Sequence, residues 1–319
     1  MLRRLLRRKE AGIFLALAAL IVAIALGELQ FIHEHQFLKP DNLYRVSRQI
    51  AYTAIVALGV FFVILTSGID LSVASIVAFS GVLCGLCMAR GAPWPLAAAA
   101  GLLSGAAVGA INGAIVSYVG VTPFIVTLGM LSMARGAVYV ITRGETITKI
   151  SKSFVRVGLM NVGGVSMPVI VLIVVALISH VVLTWTVFGR RLYAIGGNEE
   201  ATKLSGINTR RVKFYAYVIS GLFSAITGIL YIARFNSAQA YPSAGLELDA
   251  IAAAVIGGTS LMGGEGTVIG VLIGATIMGV IRNGLVLLKV SPYWQELVIG
   301  AIIVLAAILD IVRRRGRRG

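Results

Sequence analysis

Charge is scarce in this chain. Asp, Glu, Lys and Arg make up 13% of its 319 residues, about half the share of an ordinary soluble domain. Acid is scarcer still, with 13 Asp and Glu in all. A soluble enzyme of this length would leave large apolar patches in water, so that class is excluded, as are disordered and fibrous chains. The only two cysteines, Cys84 and Cys87, form a C-x-x-C within an apolar run. Without a second ligand pair they read as small packing residues, one turn apart on a helix. No G-x-x-x-x-G-K-[ST] occurs, so the chain has no P-loop of its own. Gly263-Gly264-Glu265-Gly266-Thr267 is glycine-rich but lacks the lysine, and reads as a tight turn. No H-E-x-x-H or G-x-S-x-G appears. His33-Glu34-His35 falls at a membrane boundary, where polar residues belong, and lone His180 reads as a packing residue. No metal site and no resident cofactor is expected.

What the chain has is apolar length. Hydrophobic residues make up 58%, and the mean hydropathy is +0.93. Spanning hydrocarbon takes about 20 apolar residues, fewer where a helix breaks inside protein. Ten spans follow: 11–32, 47–66, 71–90, 95–119, 122–142, 168–188, 213–233, 249–263, 266–288 and 295–312, the eighth of them short or broken. The expected fold is an all-α polytopic transmembrane helix bundle, a single domain over 1–319. Gly101, Gly105, Gly109 and Gly113 recur every fourth residue, as do Gly266, Gly270 and Gly274. Such stripes let helix backbones approach closely in lipid.

The 28 basic residues supply the orientation. Sixteen lie in three places: Arg3 to Lys9, Arg313 to Arg318, and Arg190 to Lys213. An even span count with both termini basic predicts N-in and C-in. Anionic lipid is then the local counter-charge, and nucleic acid is not an expected partner. Ala25-Leu26-Gly27 resembles a signal cleavage site, but an uncleaved first helix keeps the matching basic clusters. One loop runs against the rule: 143–167 should be external, yet holds Arg143, Lys149, Lys152 and Arg156 against Glu145. A topology exception and a contact for a delivering protein are both open there.

Few groups carry chemistry at membrane depth. Asp70 lies in a polar break, Thr66 to Ser72, where it serves either to cap the next helix, with Ser72 competing, or to line a water-filled path. Asn112, Asn283, Thr122-Pro123 and Asn236 to Gln239 are further path candidates, each equally a bend or an interhelical bond. In the cytoplasmic loop 189–212, Asn198 is a good N-cap and Glu199 and Glu200 suit the first turn. Ala201, Leu204 and Ile207 then give an apolar face, and Gly206 stops the helix. A protein groove or the membrane interface would both suit it.

These stretches together resemble one family. Gly68 to Ser75, Asn112-Gly113, Thr127 to Met130, Gly189 to Ala201 with Leu204 to Ile207, and Ala253 to Gly266 are similar to the permease subunits of ribose-type ABC sugar importers. The resemblance covers nearly the whole chain in order. It implies a bacterial inner-membrane (plasma-membrane), multi-pass subunit that forms the path for a monosaccharide, ribose or similar. It implies three partners: a second permease copy as a homodimer, a periplasmic sugar-binding protein, and an ABC-type ATPase subunit that carries the ATP and Mg. It places the ATPase-coupling segment on Gly197, Asn198, Glu199, Glu200, Ala201, Leu204, Ser205 and Gly206. Asp70, Asn112 and Asn283 are the expected path residues. One departure stands out: Ala74 replaces the glycine usual after Ser-Val, which should stiffen that helix start. The alternative is an ion-coupled secondary carrier acting alone, against which the sparse membrane acids argue.

Overall fold

Apolar runs in this chain become helices where proline opens them. Pro40, Pro95, Pro123, Pro168 and Pro292 stand in the first turn of five helices, where the missing N–H costs nothing. The computed structural model describes residues 9–32, 36–239 and 245–318. His33-Glu34-His35 and the arginines of 1–8 lie outside them.

Among the described residues the chain forms thirteen helices. These are α1 (Lys9–Ile32), α2 (Pro40–Ile64), α3 (Val73–Ala89), α4 (Trp94–Ala114), α5 (Pro123–Thr142), α6 (Lys152–Gly158), α7 (Met167–Trp185), α8 (Val187–Gly197), α9 (Glu199–Leu204), α10 (Thr209–Phe235), α11 (Leu246–Ile256), α12 (Val268–Leu287) and α13 (Pro292–Arg318). A π-helical turn, Ile115–Val119, extends α4 and ends at left-handed Gly120. A two-residue strand pair, β1 (Asn161–Val162) with β2 (Val165–Ser166), is the only sheet among the described residues. The chain is an all-α polytopic bundle.

At its centre stands α2. From Ala51 to Ile64 every residue of this helix is buried, because apolar side chains occupy all its faces. It is packed by α10, α11, α12 and α7. Around that core, α1, α5 and α7 turn large apolar side chains outward: Leu15 and Leu26, Ile125 and Val140, Leu177 and Ile178. In water these bands would aggregate; against acyl chains they are the matched surface. Seven helices among the described residues are long and apolar enough to cross a bilayer.

Several sequence expectations shift. The second span begins at Pro40 rather than 47, because Pro40 opens the helix ahead of its first arginines. The eighth is a helix of only 11 residues, Leu246–Ile256, and 257–267 is turn. Residues 189–197, taken as loop, are helical, and the sixth span stops at Trp185: the Thr186 hydroxyl caps Gly189 N–H and starts α8. Gly266 lies in the turn before α12 rather than on its stripe. His180 faces outward, edge-on to Trp185, instead of packing inside. The 143–167 loop is itself folded, with Phe154 of α6 against Trp94 and Ile147 bridged to Ala238. That bridge also accounts for the 236–239 break, where left-handed Asn236 ends α10.

The glycine stripe on α4 has its expected use. Its longest interface is with α10, and Cβ atoms built on Gly105, Gly109 or Gly113 would strike Gly221, Tyr217 or Phe214 backbone. On α12, Gly270 and Gly274 bring the backbone against Gly257 and Ala253 in the same way. A contact this close cannot be relieved by a side-chain rotation. Gly109→Ala is therefore expected to lower the stability of the detergent-purified chain by about 1–3 kcal/mol in thermal unfolding. Gly129→Ala, where a Cβ meets nothing within 4 Å, should be neutral or stabilising.

Candidate functional site

The segment 187–207 closes one end of the bundle with two short helices. Asn198 is extended (φ −160°, ψ 103°) and turns the chain from α8 into α9. Its side-chain oxygen accepts from Ala201 N–H at 2.9 Å, the N-cap bond expected of it. Its carbonyl accepts from the Thr202 hydroxyl at 2.7 Å, and Thr202 is the one buried residue of α9. At the far end Gly206 takes φ +78°, with Gly206 N–H to Lys203 O and Ile207 N–H to Thr202 O closing the helix.

Charge fastens this loop to the bundle. Glu199 pairs with Lys213 at the start of α10, and Glu200 with Lys203 at 2.7 Å. Partial burial raises the Glu199 carboxyl's proton affinity, but Lys213, Lys203 and the Thr209 hydroxyl outweigh it and hold its pKa below the usual glutamate value. The Lys203 ammonium, hydrogen-bonded by Glu200, is held above its usual value. The remaining surface points away from the bundle. Gly197, Ala201, Ser205 and Gly206 are exposed, and Leu204 is 89% exposed. An apolar side chain presented so fully beside paired charges suits a groove on a second protein.

Below this end, the break after α2 folds inward. Asp70 is fully buried and carries three hydrogen bonds: Ser72 N–H at 3.0 Å, Ser72 hydroxyl at 2.6 Å and Ser220 hydroxyl of α10 at 2.8 Å. Asn112 of α4 donates to the Ser72 hydroxyl at 2.9 Å, which turns that hydroxyl's proton toward Asp70. Thr127 of α5 donates to Ile69 O at 3.3 Å. Ser72 occupies the cap position of α3, but it is Asp70 that accepts its N–H. Asp70 and Asn112 thus meet through Ser72, joining the break to α4 and α10. Ala74 sits buried at the start of α3.

Asn283 is elsewhere. It exchanges two amide hydrogen bonds with Asn42, at 2.9 and 3.0 Å, pinning the far ends of α2 and α12. That end also holds two arginines the sequence reading passed over. Arg282 clasps Asp249 of α11 in a bidentate pair, both bonds 2.8 Å. Arg234 of α10 donates to Gln49 at 3.1 Å and lies over the Tyr52 ring at 5.4 Å. The available signal was an arginine inside each of two apolar spans, since such a charge must find a partner. No group of three metal-ligating side chains gathers among the described residues.

Residues 42–307 match the family described as the branched-chain amino acid transport system permease component. The chain belongs to this family of membrane permeases. It is 42% identical to the ribose import permease protein RbsC of Escherichia coli K12 over 92% of each chain. It is 41% identical to RbsC of Bacillus subtilis over 95% of this chain and 92% of that one. The D-allose transport system permease protein AlsC of Escherichia coli K12 is 39% identical, over 91% and 89%. No solved structure matches it.

Two outcomes follow from these geometries. Asp70→Ala removes the acceptor of all three bonds and leaves the buried Ser72 N–H without its partner, and should cost about 1–3 kcal/mol in thermal unfolding. For Glu199 the folded pKa is depressed, so its contribution is complete above the ordinary glutamate value and fades as pH falls through the folded one. Hydrogen-exchange protection factors of 199–204 in nanodiscs should hold steady from neutral pH to the ordinary glutamate value, then drop.

Proposed function

We propose that this chain is the membrane subunit of an ATP-driven importer of a ribose-type monosaccharide in the bacterial inner membrane. The observation that carries the reading is the pairing of a fastened α8–α9 loop with an outward-facing Leu204, on a chain with no P-loop. Gly197, Asn198, Glu199, Glu200, Ala201, Leu204, Ser205 and Gly206 form the surface that meets the ATPase. Asn198 and Gly206 shape it, Glu199 anchors it through Lys213, and Leu204 is its apolar contact. ATP and Mg belong to the ATPase. Closure of two ATPase subunits would draw the two α9 helices of a permease homodimer together and open the path to a sugar-loaded binding protein on the opposite side. Permeases named for ribose and allose among its relatives support a monosaccharide as cargo.

The whole of 1–319 acts as one domain in this reading, crossing the membrane ten times. Seven long helices, the shorter apolar Val73–Ala89 and Pro292–Leu305, and the 11-residue α11 add up to that number. With both termini cytoplasmic, the α8–α9 end faces the ATPase and the arginines around it meet anionic lipid. The folded 143–167 segment then lies outside.

Asp70 and Asn112 shape the path from behind by holding the break between α2 and α3, and Asn283 fixes the outer end through Asn42. The sparse membrane acids argue against a carrier acting alone. Asp249 is engaged by Arg282 and Asp70 by three donors, which leaves neither standing ready for an ion.

Leu204→Asp tests the docking claim without touching the loop's anchors. The variant should insert normally yet lose at least about tenfold in affinity for the ATPase, as removal of a central apolar anchor does. Wild-type association of Leu204→Asp would remove the basis for the proposed contact.

A further inference from the structure

The two interrupted stretches of the bundle, 65–72 after α2 and 257–267 before α12, are joined to each other directly beneath the α8–α9 loop. Gly264 N–H donates to Leu65 O at 3.1 Å, and the Ser67 hydroxyl donates to Met262 O at 2.6 Å. On this double link rests the end of α8. Gly196 lies so close that a Cβ on it would overlap both Leu65 O and Gly264 N, the two atoms of the first hydrogen bond. From the other side, a Cβ on Gly264 would stand 2.8 Å from Gly197 N. One turn earlier on α8, the Tyr193 hydroxyl donates to Gly266 O at 2.9 Å. Gly263 and Gly264, at φ +83° and +71°, make the turn flat enough for that approach.

Each neighbour of this junction leads somewhere. Gly196 is two residues from the Asn198 cap on which α9 starts. The 65–72 break continues to Asp70 and thence to α4 and α10. The 257–267 turn ends α11 and starts α12. Three contacts of backbone on backbone have no soft side chain to absorb a displacement.

We propose that Gly196, seated on the Leu65–Gly264 hydrogen bond with Tyr193 holding Gly266, is the joint that carries motion of the coupling helix into both interrupted stretches at once. Gly196 and Tyr193 are positioning residues: they touch neither sugar nor nucleotide, and act by keeping α8 rigidly attached to the two breaks. The proposal rests on the importer reading above and adds where its coupling force enters the bundle.

The test uses the complete complex of permease, ATPase and sugar-loaded binding protein in proteoliposomes, comparing Gly196→Ala, Tyr193→Phe, Ser67→Ala and Gly136→Ala. Four quantities are read: ATPase co-purification, basal hydrolysis, its stimulation by the loaded binding protein, and sugar moved per ATP. Gly196→Ala should retain the ATPase and basal hydrolysis while losing about tenfold in sugar per ATP, the size of an ordinary coupling energy. Tyr193→Phe and Ser67→Ala each remove one hydrogen bond and should lose about two- to fivefold in the same ratio. Gly136→Ala, on an exposed face of α5 where its Cβ meets nothing within 4 Å, should match the wild type. If Gly196→Ala does not fold, the two hydrogen-bond variants decide the matter by the same ratio. Unchanged sugar per ATP in Tyr193→Phe and Ser67→Ala overturns the joint, and so does a loss that only parallels loss of the ATPase. Failure of the wild-type chain to co-purify with any ATPase would instead bring down the importer reading, and the joint with it.

Discussion

A backbone N–H or C=O left unpaired away from water costs several kcal/mol, and this bundle carries two partly buried non-helical stretches at its α8–α9 end. Everything else in the structure is arranged so that those interruptions are satisfied. The first, 65–72, has its Ser72 N–H held by Asp70 and its Leu65 carbonyl held by Gly264 N–H. The second, 257–267, returns the favour through the same bond and through Ser67. Both lie under helices that pack by glycine, because only a surface without side chains brings a backbone near enough to supply these partners. Break, donor and glycine stripe are therefore one device.

That device gives the bundle a stiff end and a pinned end. At the pinned end Arg282–Asp249, Asn42–Asn283 and Arg234–Gln49 tie α2, α10, α11 and α12 by side chains alone. At the stiff end one backbone hydrogen bond and close glycine-on-backbone contacts join the Ser67 and Tyr193 bonds, and the α8–α9 loop sits on them. Side-chain ties of that kind can exchange partners, whereas backbone contacts transmit displacement. The difference suits a machine pushed at one end and opened at the other.

The local signals in the sequence were legible and the distant ones were not. Asn198, Gly206 and the α4 stripe act within a turn or on a single helix face, so spacing alone identifies them. The start of α8 was missed because Thr186 caps it within what composition marks as the end of the sixth span. Asp70 showed as a polar break, yet its partner Ser220 lies 150 residues on, and no periodicity links them. Arg282 and Asp249 are 33 residues apart on adjacent spans; each was visible as a charge out of place, but not as a pair. Asp70, Asn112 and Asn283 were grouped by residue type, and the fold divides them between its two ends. The π-helical turn at Ile115–Val119 has no sequence signal that we can identify.

The central claim is that this chain moves sugar only when driven from outside itself. Its most direct test is uptake of labelled ribose into proteoliposomes holding the chain alone, then with the ATPase, then with ATPase, ATP and the sugar-binding protein together. Uptake confined to the complete mixture is the expected result. Accumulation by the chain alone on a proton or sodium gradient would contradict the account.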